Sequence, residues 1–241
     1  MNSSDPLPPS PPPLPPGDSS SITGLRGAID AVLRQPGRIT NQLRHSGQTG
    51  LIGIFLVVAV VAGLVYGLVV GMFSGGTQLW AAPLKVAAGF VLSALICLPS
   101  LYIFSALAGS KARFGEVCGV VAAMIALMTV LLIGFAPVAW VFLESTNSAN
   151  VIGTLHLVFW MVATYFGVRF LSIAFGSISD RTGGLSVWIL IFVLVMLQMT
   201  TSLRPLVGTA PTFLPKEKKF FVTHWCDEMR SDVTGPPSAR R

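Results

Sequence analysis

The chain has 241 residues, of which 52% are hydrophobic and 11% charged, against about 25% charged in an average soluble domain. With a mean hydropathy of +0.72, this composition excludes an ordinary soluble domain and points to an all-α, polytopic membrane helical bundle. The net charge of +6 lies at the edges of apolar runs, where headgroups and topology demand cations, so nucleic acid is not an expected partner.

Residues 1–20 read MNSSDPLPPSPPPLPPGDSS. Proline fixes φ and removes donors, so this Pro-rich leader is expected to be disordered and extended; a PxxP ligand is the alternative reading. The first apolar run begins near Leu51, too late and too long for a cleaved signal segment, so the first span is expected to act as an uncleaved anchor. Residues 21–48 form an amphipathic cytoplasmic segment. Ile22, Leu25, Ile29 and Leu33 fall at helical spacing, with Arg26, Asp30 and Arg34 opposite. Pro36-Gly37 breaks the pattern, and Arg38 to Arg44 repeats it. This segment is expected to lie on the membrane face with arginines toward headgroups, or else to dock on the ends of the spans.

Residues 49–208 are expected to hold about five transmembrane helices. The first runs from Leu51 to Phe73. Ala59, Gly63, Gly67, Gly71 and Gly75 recur at every fourth position. This glycine zipper makes a smooth groove for close approach of another helix, since lipid gives no hydrophobic drive to helix pairing. The second span runs from Leu84 to Leu107, after Trp80 and Pro83. Lys85 is just inside its apolar boundary and is expected to snorkel. Pro99 is expected to kink the helix or free a carbonyl, with Ser93, Ser100 and Ser105 able to bond locally.

The third span, Phe114 to Leu143, is too long for one straight crossing, and Gly134 and Pro137 offer a break. Glu116 is expected to form a boundary ion pair with Lys111 or Arg113. The fourth span, Val151 to Phe175, carries His156 and Trp160 one turn apart, and Tyr165 and Arg169 one turn apart. The fifth runs from Leu185 to Leu203, and residues 209–241 form a basic, aromatic tail. Arg26, Arg34, Arg38, Arg44, Lys111, Arg113, Arg169 and Arg181 all fall on one side of this arrangement. The positive-inside rule puts that side, and the N-terminus, in the cytoplasm. Five crossings send the tail outside, where Lys216, Lys218 and Lys219 strain the rule.

No catalytic constellation is present: there is no GxSxG, HExxH, GxxxxGK[ST] or strand-borne GxGxxG. No cofactor or metal is expected. Cys97, Cys118 and Cys226 form no CxxC pair, and His224 with Asp227 and Glu228 reads as a solvated tail. No pair of carboxylates lies mid-membrane, as a proton-coupled transporter would carry. The chain does place polar groups where the fifth span ends. Gln198, Thr201, Ser202 and Pro205 share a face, with Thr200 and Arg204 beside it. Such a face is costly against lipid. Lys85, Glu144, His156, Gln198, Thr201 and Arg204 together make a candidate outer polar site for an anionic headgroup or glycan. The competing reading is interfacial snorkelling plus an ion pair.

The segment ICLPSLYIFSALAG places a proline in the second span, and the tail reads SLRPLVGTAPTFLPKEKKFF. With the N-terminal arm and five spans, these features resemble the bacterial branch of the Ypt/Rab-interacting protein (Yip) superfamily. The tail is similar to an LRPF-G-x-P…NFF pattern of bacterial five-span membrane proteins. The likeness covers about residues 30–225. No DLYGP-like segment precedes the first span, so the likeness does not extend to a GTPase partner. It implies a multi-pass protein of a bacterial cytoplasmic membrane. The expected function is a non-enzymatic scaffold or accessory subunit that binds membrane lipids or a partner membrane protein, or self-associates. The alternative is a small transporter or channel subunit with a polar path along the fifth helix.

Overall fold

A computed structural model describes residues 21–45, 48–74, 76, 78–145, 149–176 and 184–202. The leader 1–20, the tail 209–241 and Gly75 lie outside the described residues. The described residues form seven α-helices and no strand: α1 Gly24–Arg34, α2 Pro36–His45, α3 Gln48–Ser74, α4 Gln78–Leu107, α5 Phe114–Ser145, α6 Ala149–Gly176 and α7 Leu185–Ser202. Four of them contain stretches long and apolar enough to cross a membrane: Thr49–Met72, Leu79–Leu107, Phe114–Ser145 and Val151–Gly176. The apolar stretch of α7, Leu185–Met199, is shorter. Large apolar side chains such as Leu95, Ile103, Val141, Met161 and Leu190 are exposed around the bundle. A surface of that kind suits lipid and not water. The chain is a membrane-type helical protein.

Helix α5 is the axis. Of its most apolar window, 72% is buried, against 33–39% in the other three candidate spans. A helix that is apolar all round can be covered on every side. Small residues make the close approaches possible: Gly119 lies against Leu43 of α2, and Ala122, Ala123 and Ala126 are buried. Met124 and Met128 reach Gly167 of α6, where flexible thioether chains fill an irregular gap. Thr129 returns its hydroxyl to the Ile125 and Ala126 carbonyls at 3.0 and 3.1 Å. Helix α5 is continuous over 32 residues with Pro137 inside it. The expected break at Gly134 and Pro137 is therefore absent. Both face outward, while Leu132, Ala136 and Ala139 hold the inner face in place. At about 1.5 Å per residue the helix exceeds a hydrocarbon core of about 30 Å, so its ends project beyond it.

Helices α3 and α4 pack antiparallel along the glycine stripe. Gly63 faces Ala87, and Gly67 faces the Ala82–Pro83 backbone. Helix α4 starts at Gln78, earlier than expected, and keeps Pro83 and Pro99 inside it. Beside Pro99, the Cys97 carbonyl accepts hydrogen bonds from Ser100 Oγ at 2.7 Å and from Trp188 Nε1 of α7 at 2.8 Å. Trp188 is buried and stacks on Phe192, and Gly184 lies against Phe104. Helix α7 thus runs antiparallel to α4. The α4–α5 turn closes with Gly109 at φ 81. Ser110 N–H donates to the Ser105 carbonyl and Gly109 N–H to that of Ala106. This is a Schellman motif, and its left-handed residue favours glycine.

Helices α1 and α2 cover one end of the bundle. Pro36 opens α2 at its first position, where its missing N–H costs nothing. Gln42 of α2 accepts from Ile22 N–H at 2.7 Å and donates to the Ile22 carbonyl at 3.4 Å. Glu116 is buried and pairs with Arg44 of α2 at 4.0 Å. The expected partner was Lys111 or Arg113; the folding of α2 across the first turn of α5 supplies a different cation. Helix α1 buries Ala28, Ala31 and Val32, whereas Leu25 and Leu33 of the expected apolar stripe are exposed.

Candidate functional site: a polar layer between α3, α4 and α6

The buried face of α6 carries Ile152, His156, Phe159, Ala163, Phe170 and Ala174. With Gly167, also buried, these positions are separated by steps of three or four, the spacing of one helical stripe. His156 is 7% exposed on that stripe. Its Nδ1 lies 2.7 Å from the hydroxyl of Tyr66 on α3, which is fully buried. The two rings meet edge to face at 5.6 Å. Aromatic side chains wall the pair. Phe159 meets the His156 ring at 6.4 Å and stacks on Phe135 of α5 at 4.8 Å, and Trp160 packs on Phe90 of α4 at 4.8 Å.

Lys85 is buried at a similar depth. Gly67 lies against Pro83 and Gly63 against Ala87, so Lys85 stands at about the depth of Tyr66, on the face of α4 turned away from α3. It is 1% exposed. The expected snorkelling does not occur. The helix register turns this position away from α3, and the rest of the bundle covers it.

The chemistry of the layer follows from its donors. If the Tyr66 hydroxyl donates to Nδ1, His156 Nε2 carries the ring proton and is a donor. If Nδ1 donates, Nε2 is an acceptor. In either tautomer Nε2 is buried with no hydrogen-bond partner among the described residues. Ser93 Oγ, two turns along α4, is in the same condition. An ammonium adds three N–H donors. Asp30 pairs with Arg34, Glu116 with Arg44, and Glu144 is exposed and accepts from Trp140 Nε1 at 3.3 Å. Among the described residues no group of three His, Cys, Asp or Glu side chains is arranged to hold a metal ion.

Of the residues singled out from sequence, Lys85 and His156 are both buried, at about the same depth in the bundle. Gln198 is half-buried on α7, and the antiparallel run of α7 along α4 carries it to the half of α4 that holds Lys85. Glu144 stays on the outer surface of α5. The side chain of Thr201, and Arg204 entirely, lie outside the described residues. Tyr66 was missed. Its signal was a phenol three residues from Gly63 and next to Gly67, on a stripe that has to meet another helix.

No protein-family profile matches the chain, and no match is found among curated proteins or solved structures.

Proposed function

We propose that this protein is a non-enzymatic integral membrane scaffold or accessory subunit that binds membrane lipid, with Lys85 as the partner of an anionic headgroup. One observation carries the reading: a lysine 1% exposed inside an apolar bundle, level with a tyrosine–histidine pair. Ionisable side chains at such depth are expensive and mark functional positions. The ammonium of Lys85 suits phosphate oxygens. The same reading takes α7 as a fifth span. Its 18 residues rise about 27 Å, close to the thickness of a hydrocarbon core. It also keeps the likeness to the Yip superfamily, a bacterial cytoplasmic membrane and a cytoplasmic N-terminus. Because α4 occupies the groove at Gly63 and Gly67, a partner membrane protein would meet the bundle elsewhere.

The test is the lipid that stays with the protein through purification in mild detergent, identified by mass spectrometry. Wild type is expected to retain anionic phospholipid, and Lys85→Gln to lose it several-fold while keeping its helical circular dichroism. Equal retention by folded Lys85→Gln would refute the reading. Loss of zwitterionic and anionic lipid alike would show a general packing effect and would also refute it.

A further inference from the structure

Helix α1 divides into three arcs. At 100° per residue, Ala28, Ala31 and Val32 occupy one arc, and they are buried against the bundle. The next arc holds Leu25, Ile29 and Leu33, four residues apart along one line. Leu25 is 49% and Leu33 47% exposed, with Ile29 half-buried between them. The third arc holds Arg26, Asp30 and Arg34, all exposed. Burial against protein thus covers only half of the apolar surface of α1.

We infer that the Leu25–Ile29–Leu33 arc of α1 is inserted into the leaflet of the protein's own membrane, beneath anionic headgroups that meet the arginines of the adjoining arc. A helix lying in the interface beside a bundle needs protein on one side, acyl chains below and polar groups above. The three arcs come in that order. The charge around them is complementary to an anionic leaflet: Arg26, Arg34, Lys111 and Arg113 are all exposed at this end of the bundle. Of the described carboxylates at this end, Asp30 is 3.3 Å from Arg34 and Glu116 is buried beside Arg44. The helix is tied in place from behind. Gln42 bonds both backbone groups of Ile22, and Leu43 of α2 lies against Gly119 in the first turns of α5. The inference is independent of the polar layer.

The experiment places a nitroxide label at Leu25→Cys, Leu33→Cys or Arg26→Cys, one at a time. The chain carries Cys97→Ala, Cys118→Ala and Cys226→Ser and is reconstituted in phosphatidylcholine–phosphatidylglycerol vesicles. Collision with oxygen, which partitions into acyl chains, is compared with collision with a water-soluble nickel chelate. The oxygen-to-nickel ratio is expected to be several-fold higher at positions 25 and 33 than at 26. It is expected to fall at both when phosphatidylglycerol is omitted. Nickel access at 25 and 33 equal to that at 26 would mean the arc faces water. Exclusion of both reagents would mean protein covers it, either the leader or a second copy. A ratio indifferent to phosphatidylglycerol would remove the role of the arginines. Each of these three outcomes overturns the inference. Two leucine positions are used so that a folding defect at one, read by circular dichroism, leaves the other to decide.

Discussion

Gly67→Ala should loosen the α3–α4 seam, and the structure sets the size of the effect. A Cβ built at Gly67 would stand 2.5 Å from Pro83 Cα, and 3.0 Å from both the Ala82 carbonyl oxygen and Pro83 N. All three are backbone atoms, so no rotamer change relieves the clash. Carbon atoms prefer about 3.5–4.0 Å, so the helices must part locally by about 1 Å, and a gap of that size forfeits up to about half of each contact it opens. Overpacking of this kind costs about 1–3 kcal/mol. Alanine returns about 1 kcal/mol through its better helix propensity. Because the clash is with backbone atoms, the upper half of that range applies, and the net destabilisation is about 1–2 kcal/mol, roughly a 5- to 30-fold fall in the folded-to-unfolded ratio. Gly134 has nothing within 4 Å of a built Cβ, so Gly134→Ala should be neutral or mildly stabilising. Gly63→Ala, 3.2 Å from Ala87 Cα, should fall between them. The assay is reversible unfolding in mixed micelles with increasing dodecyl sulfate, followed by circular dichroism. If Gly67→Ala unfolds at the same point as Gly134→Ala, the seam is not a close backbone contact and the level assigned to Lys85 loses its basis.

Tyr66→Phe should cost about 1–3 kcal/mol by leaving a second buried nitrogen of His156 unsatisfied. A double-mutant cycle with His156→Phe should give a coupling of about 0.5–3 kcal/mol, and strict additivity would show that the two side chains do not bond. For topology, an impermeant thiol reagent applied outside the cell should label Cys226 and leave a cysteine at Ser110 unlabelled. Labelling of both from one side would exclude five crossings.

The sequence by itself determined where four of the long apolar helices lie, because a run of about twenty apolar residues has no other stable solution in a bilayer. It also pointed to close approach of another helix at Gly63 and Gly67, where the absence of side chains permits it. The break at Pro36 was legible because proline and glycine act on their own backbone. Only the tertiary structure decided which helix fills the groove, and that α5 is the axis while α3, α4 and α6 face outward on one side. Mean apolarity does not differ enough among these helices to rank them. Lys85 illustrates the limit. From the sequence its distance along α4 was readable, but its direction around the bundle was not, and direction separates a snorkelling lysine from a buried one. The bonds from Tyr66 to His156 and from Trp188 to the Cys97 carbonyl join residues 90 and 91 positions apart. Local spacing carries no information about such pairs, because they depend on how whole helices are rotated against each other.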